Sequence, residues 1–285
     1  MGWTVNIFAK HGQFEHWFPY DPPAWTMAAE LKGSLVVYGL LAVTAGMRVR
    51  HRIYLSIALG LLFLLTYQWE LACFMSGLTL AAMDLEEITL IPNHSHSLSI
   101  PKRSQNTLHH TTFLLAWYIL GQPHGTLDPE ISYNTPGWYY LTQTLTPPIY
   151  YNNEFWRFWN VIGATLLIYA IFRINWVQRF LSRPTLRYMG QISFAFYLIH
   201  IPIAWTIGDR VARVLGVRRP DVDTVWDGLF VVPDFGLVGF SAGLICWQAV
   251  VLPLNVVLAA VVTRRFDEPS VRFSRFVAER VGLGG

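Results

Sequence analysis

Charge is scarce in this chain. Only 14% of its 285 residues are Asp, Glu, Lys or Arg, against 53% that are hydrophobic. A soluble domain of 32.6 kDa needs a more charged surface than that. Cysteine is nearly absent: Cys73 and Cys246 both fall in apolar segments, which argues against a disulfide framework. Three motifs of soluble catalysis are missing, with no G-x-G-x-x-G, G-x-x-x-x-G-K-[ST] or H-E-x-x-H. The 21 Lys and Arg against 18 Asp and Glu form no dense basic stripe interleaved with stacking aromatics, so nucleic acid is not an expected partner. Residues 1–28 mix His, Pro, Asp and Trp and read as lacking a cleavable signal peptide.

What is there instead is a series of apolar segments with basic residues at alternate ends. Mean hydropathy is +0.34, and 12 Trp and 13 Tyr suit aromatic belts at two membrane surfaces. Candidate spans are 29–47, 53–67, 70–83, 108–120, 156–172, 188 to about 207, and 235–262. The expected fold is all-α, a polytopic transmembrane helical bundle of about seven spans, with five to eight compatible. The second, third and fourth segments are shorter than the roughly 20 residues of a straight crossing. Segments 53–67 and 70–83 read either as a helical hairpin with a wet turn near Gln68–Glu70 or as one span plus a buried helix.

Placing the N-terminus outside puts linkers 48–52, 84–107, 173–187 and 263–285 in the cytosol, with 14 of the 21 Lys and Arg. Residues 1–28 then form a non-cytosolic loop and 263–285 a cytosolic tail. The outer cluster Arg210, Arg213, Arg218 and Arg219 runs against this bias, partly balanced by Asp209, Asp221, Asp223 and Asp227. The chain is expected to be integral and multi-pass, in plasma membrane or endomembrane, with the bilayer as a partner. An external N-terminus without a signal peptide points to a domain, 1–285, that is truncated at its start.

Polar groups at membrane depth are costly, so each needs a partner or a task. Thr26 and Glu30 stand four apart and share a helix face, with Lys32 beside them. Glu30 can position a hydroxyl or hold a polar group of a substrate. The plain alternative is a Glu favoured at a helix N-terminus with Lys32 snorkelling. Ser193, Tyr197 and His200 recur at helical spacing ahead of Pro202. They read as a stripe along an internal cavity, with His200 able to act as a base or, as the cation, to bind phosphate. The alternative is an ordinary interhelical hydrogen bond worth about 0.6–2 kcal/mol. His94, His96, His109 and His110 have no converging carboxylate or thiolate, so no metal site is expected. Arg264 and Arg265 read as a cytosolic anchor, with Pro269 ending or redirecting the helix. The aromatic run Pro136-Gly137-Trp138-Tyr139-Tyr140 reads as a cover over a cavity mouth or as part of an interfacial belt.

Four pieces, taken in order, resemble the acyltransferase-3 family of integral membrane acyltransferases, in particular its fungal members. Trp25-Thr26 leading to Glu30-Leu31-Lys32-Gly33-Ser34 resembles the family's W-T-x-x-x-E-x-x-G-S helix start. Tyr118-Ile119-Leu120-Gly121-Gln122-Pro123 resembles the end of a later helix. Tyr188-Met189-Gly190-Gln191-Ile192-Ser193-Phe194 through Tyr197-Leu198-Ile199-His200 resembles L-G-x-I-S-F-x-x-Y-L-x-H. Phe266-Asp267-Glu268-Pro269-Ser270 resembles the closing x-D-x-P-S.

The resemblance implies transfer of an acyl group from acyl-CoA or a similar donor to a hydroxyl of a sugar, lipid or secondary metabolite. Acyl-CoA enters as co-substrate, and no bound cofactor is expected. It implies about ten helices, with an arginine region and a proposed catalytic histidine in the first of them. No residue here matches that histidine. Thr26, Glu30 and Lys32 are then the candidates for shaping the catalytic pocket, and Ser193, Tyr197 and His200 for lining it. A transporter or flippase, or a catalytically inactive remnant, are the competing expectations.

Overall fold

A computed structural model describes residues 25–86, 102–121, 135–150, 155–217, 225, 227–232 and 241–280. The described residues are all-α. The chain divides into two compact units, one of residues 27–181 and one joining residues 1–26 to 182–285. Among the described residues, four helical stretches are long and apolar enough to cross a membrane. They are Thr26–Val43, Phe155–Arg173, Pro184–Val214 and Ala242–Arg280.

The unit of residues 27–181 is built on α1 (Trp25–Val43), α2 (Val49–Leu65), α3 (Trp69–Leu85), α4 (Lys102–Leu120), α5 (Phe155–Arg173) and the short α6 (Asn175–Leu181). Helices α2 and α3 form a hairpin around Thr66, Tyr67 and Gln68, just ahead of the turn expected near Gln68–Glu70. Tyr67 takes the left-handed conformation, φ 62°, that so tight a turn needs, and its ring meets Tyr150 edge-on at 4.9 Å. Small residues let the two helices close: a Cβ on Gly60 would stand 3.3 Å from that of Met75.

Residues 135–150 fold against this bundle through aromatic side chains. A helical turn at Trp138–Tyr140 runs into a wide π turn, Leu141–Leu145. Trp138 is buried and stacks on Tyr118, whose hydroxyl donates to the Pro136 carbonyl at 2.7 Å. The fully buried Tyr150 donates to the Leu64 carbonyl at 2.7 Å, satisfying an acceptor in the last turn of α2. Trp159 of α5 donates to Thr146 at 3.0 Å. Tyr139 and Tyr140 remain exposed.

In the other unit, α7 (Pro184–Ile203) packs on α9 (Ala242–Val262) through Ile192, Ala195 and Ala259. Helix α7 is longer than expected. It passes Pro202, continues as a π turn, Ala204–Gly208, and ends in α8 (Asp209–Val214). The π turn places the Gly208 carbonyl where the indole of Trp247 donates to it at 2.7 Å. Asp209 pairs with Arg213 at 3.0 Å, so part of the outer basic cluster is neutralised locally. Arg218, Arg219, Asp221 and Asp223 lie outside the described residues.

Two boundaries differ from the sequence reading. Helix α4 begins at Lys102, six residues before the apolar segment, because Lys, Arg and Gln are good helix formers even where they are not apolar. Pro269 does not end the last helix. A π turn at Thr263–Asp267 leads directly into α10 (Glu268–Arg280), and Pro269 sits in its first turn, where a missing N–H is tolerated. Helix α10 is amphipathic, with Phe273, Phe276 and Val277 on one side and Arg272 and Arg275 on the other, and it buries none of its residues.

Candidate functional site

Helix α1 carries the first predicted group. Thr26 is half-buried and Glu30 is exposed, and Glu30 has no ion pair or side-chain hydrogen bond among the described residues. Lys32 reaches across to the α2–α3 turn and donates to Gln68 at 3.0 Å. The next residue, Gly33, lies so close to Phe74 of α3 that an added Cβ would stand 2.2 Å from its ring. Beside Gln68, the indole of Trp69 lies under the Arg157 guanidinium at 4.3 Å. Two cations, Lys32 and Arg157, therefore gather near the turn that joins α2 and α3, while Glu30 stands about 200° round the helix from Lys32. The sequence marks Gln68 only as part of a wet turn.

The second predicted group lies along α7. Ser193 donates to Gly190 at 2.8 Å, and His200 Nδ1 lies 2.5 Å from the Tyr197 carbonyl. A carbonyl only accepts, so Nδ1 is the donor in this contact. The imidazole lies parallel to Phe196, with ring centroids 6.3 Å apart. Ser193 is exposed, while Tyr197 and His200 are half-buried. The stripe exists, and the Ser193 and His200 bonds stay within their own helix.

Sequence reasoning missed a third group. His109 is buried on α4, although its neighbour His110 is exposed. Its ring is 6.0 Å from that of Tyr169 on α5, and the Arg173 guanidinium lies over the Tyr169 ring at 5.8 Å. Arg173 in turn approaches Asp84 at 3.8 Å. The His109 Nδ1 and the Tyr169 hydroxyl are buried without hydrogen-bond partners among the described residues. Trp176 donates to His110 at 3.0 Å, which ties α6 to α4. His94 and His96 lie outside the described residues.

An apolar cavity of about 270 Å³ opens between α2, α3 and α5. Ile57 and Leu61 stand exposed at its rim. Its walls include Leu80, Met83, Ile162 and Leu166, interrupted by the hydroxyls of Ser76 and Thr165. Such a space accepts a hydrocarbon chain and gives a polar end few partners.

The family model described as an acyltransferase domain matches residues 3–264, and the chain belongs to this acyltransferase family of integral membrane proteins. It is 24% identical over 200 residues to O-acetyltransferase PaAT-1 of Phomopsis amygdali, covering 68% of this chain and 39% of that protein. It is 24% identical over 195 residues to acyltransferase clz18 of Cochliobolus lunatus, covering 66% and 40%. A third relative, acyltransferase R4 of Phoma sp., is 24% identical over 211 residues, covering 72% and 43%. The chain thus spans 39% to 43% of the length of these curated relatives. No solved structure matches it significantly.

Proposed function

We propose that the chain works as a membrane-bound O-acyltransferase, moving an acyl group from acyl-CoA or a similar thioester to a hydroxyl of a sugar, lipid or secondary metabolite. The observation that carries this reading is the family match over residues 3–264. A relative named an O-acetyltransferase and the apolar cavity beside hydroxyl groups support it. In the reaction a base takes the acceptor's proton, the oxygen attacks the thioester carbonyl, and the C–S bond breaks. The thiolate leaves and is protonated. The oxyanion formed on the carbonyl needs donors. Glu30 and Thr26 orient the acceptor hydroxyl, Lys32 supplies positive charge, and Ser193, Tyr197 and His200 line the substrate's path.

The same reading gives the chain seven crossings, by α1, α2, α3, α4, α5, α7 and α9, with the N-terminus outside and the C-terminus cytosolic. Helices α2 and α3 have 17 residues each, about 26 Å at 1.5 Å per residue. They cross with snorkelling ends and a locally thinned bilayer.

The test uses membranes carrying the complete protein, radiolabelled acetyl-CoA and a panel of hydroxyl-bearing sugars, lipids and metabolites. Label transferred to a hydroxyl, with one free thiol released per ester formed, is the expected result. Acceptor flux across sealed vesicles without label transfer overturns it in favour of a transporter. Neither transfer nor flux overturns it in favour of a non-catalytic protein.

A further inference from the structure

A second cavity, of about 450 Å³, lies where the start of α7 meets the π turn that follows α9. Two sequence motifs that stand 75 positions apart at Gln191 and Phe266 meet there. Ile192 and Ala260 form an apolar floor. Above it stand Thr263, Arg264, Tyr188, Gln191 and Asp267. Thr263 is only 8% exposed, lines the cavity, and its hydroxyl has no hydrogen-bond partner among the described residues. Mid-helix threonines of this chain bond a carbonyl one turn back, as Thr165 does to Val161. The unengaged hydroxyl of Thr263 departs from that habit and is left for a ligand. Arg264 and Asp267 are three residues apart yet do not pair, and among the described residues neither has another partner. Glu268, at the rim, is held by Arg272 at 3.3 Å.

Depth narrows what can occupy this space. Helix α9 has 21 residues, about 31 Å at 1.5 Å per residue, which matches the hydrocarbon thickness of a bilayer. The residues that follow it therefore emerge at the level of lipid headgroups. Charge narrows it further. Among the described lining residues, a polyphosphate or phosphomonoester meets one cation and two carboxylates, which repel it. A neutral polyol leaves both separated charges without counterions. A zwitterion that carries an anion and an ammonium a few ångströms apart satisfies both.

We propose that this cavity is a headgroup site for a phospholipid of the phosphatidylethanolamine class. The phosphodiester is held by Arg264 with the Thr263 and Tyr188 hydroxyls. The primary ammonium donates to Asp267, Gln191 and the edge of Glu268. Choline has no N–H to donate, so phosphatidylcholine binds less well. The site is independent of the acyl-transfer reading, and binding rather than turnover tests it.

The full chain, purified in detergent, is titrated with dioleoyl phosphatidylethanolamine, phosphatidylcholine and phosphatidylglycerol, and bound lipid is counted by native mass spectrometry. The expected result is retention of the ethanolamine lipid at about tenfold lower concentration than the other two. Arg264→Gln should remove that advantage. Asp267→Asn should raise phosphatidylglycerol binding to the level of the ethanolamine lipid, a gain that misfolding cannot produce. Glycerophosphoethanolamine should compete while inorganic phosphate does not. Equal retention of all three lipids, an unchanged Arg264→Gln variant, or competition by phosphate alone overturns the proposal.

Discussion

The Ser56 hydroxyl of α2 lies 2.8 Å from the Thr79 hydroxyl of α3, in the buried seam of the hairpin. Each also reaches a carbonyl of its own helix, Ile53 at 2.9 Å and Met75 at 2.8 Å. Two protons serve three contacts, so one is shared. Thr79→Val should lower stability by about 0.6–2 kcal/mol. The double variant Ser56→Ala/Thr79→Val should be less destabilised than the sum of the two single changes, because no half-engaged hydroxyl remains. Thermal unfolding of the purified protein reads both. Strict additivity would show that the pair contributes nothing as a pair.

Gly33 is the point at which α1 lies against α3. With Phe74 so near, Gly33→Val should cost about 1–3 kcal/mol of stability. Gly33→Ala should be milder, and adding Phe74→Ala should recover part of its loss. No recovery would place the cost in α1 itself rather than in the contact.

Glu30 and Lys32 separate by role. Glu30→Gln keeps the shape and removes the charge, and turnover should fall by at least about tenfold with folding intact. Lys32→Met removes the donor to Gln68 and should lower both stability and turnover. Unchanged turnover in Glu30→Gln removes Glu30 from the proposed pocket.

The apolar cavity sets a length limit if it holds the acyl chain. Ser76→Phe fills part of the space between α2, α3 and α5. Long-chain donors should lose turnover first, with acetyl transfer nearly unchanged. A uniform loss across chain lengths would mean that the chain lies elsewhere.

Trp247 fixes the Gly208 carbonyl exposed by the π turn. Trp247→Phe leaves that acceptor without its donor and should cost about 1–3 kcal/mol. An unchanged unfolding temperature would show that another donor replaces it.

Helical segments were legible because long apolar runs end in basic residues, a signal that hydropathy captures directly. The first turns of α4 were not, since Lys102, Arg103 and Gln105 carry helix propensity without hydropathy. Pro269 reads alone as ending or redirecting a helix, and only the ending is overturned, because the preceding π turn makes its position a helix start. The difference between His109 and His110 is one residue of rotation, decided by Tyr169 sixty positions later. Lys32 read as a snorkelling side chain because Gln68, its partner, becomes a neighbour only when the hairpin folds. The two motifs at Gln191 and Asp267 were each visible, but their meeting depends on α7 and α9 running antiparallel.

The π turn at Ala204–Gly208 works as a phase shifter in a screw. An α-helix advances by about 100° per residue, and a π turn fits one extra residue into a turn. The side chains after Gly208 are therefore rotated relative to any wheel drawn through Ser193, Tyr197 and His200. Deleting Ile207 would close the turn to ordinary α geometry. Asp209 and Arg213 would then keep nearly the same bearing relative to the α7 face that carries Ile192 and Ala195, whereas the same deletion in plain α-helix would swing them by about 100°.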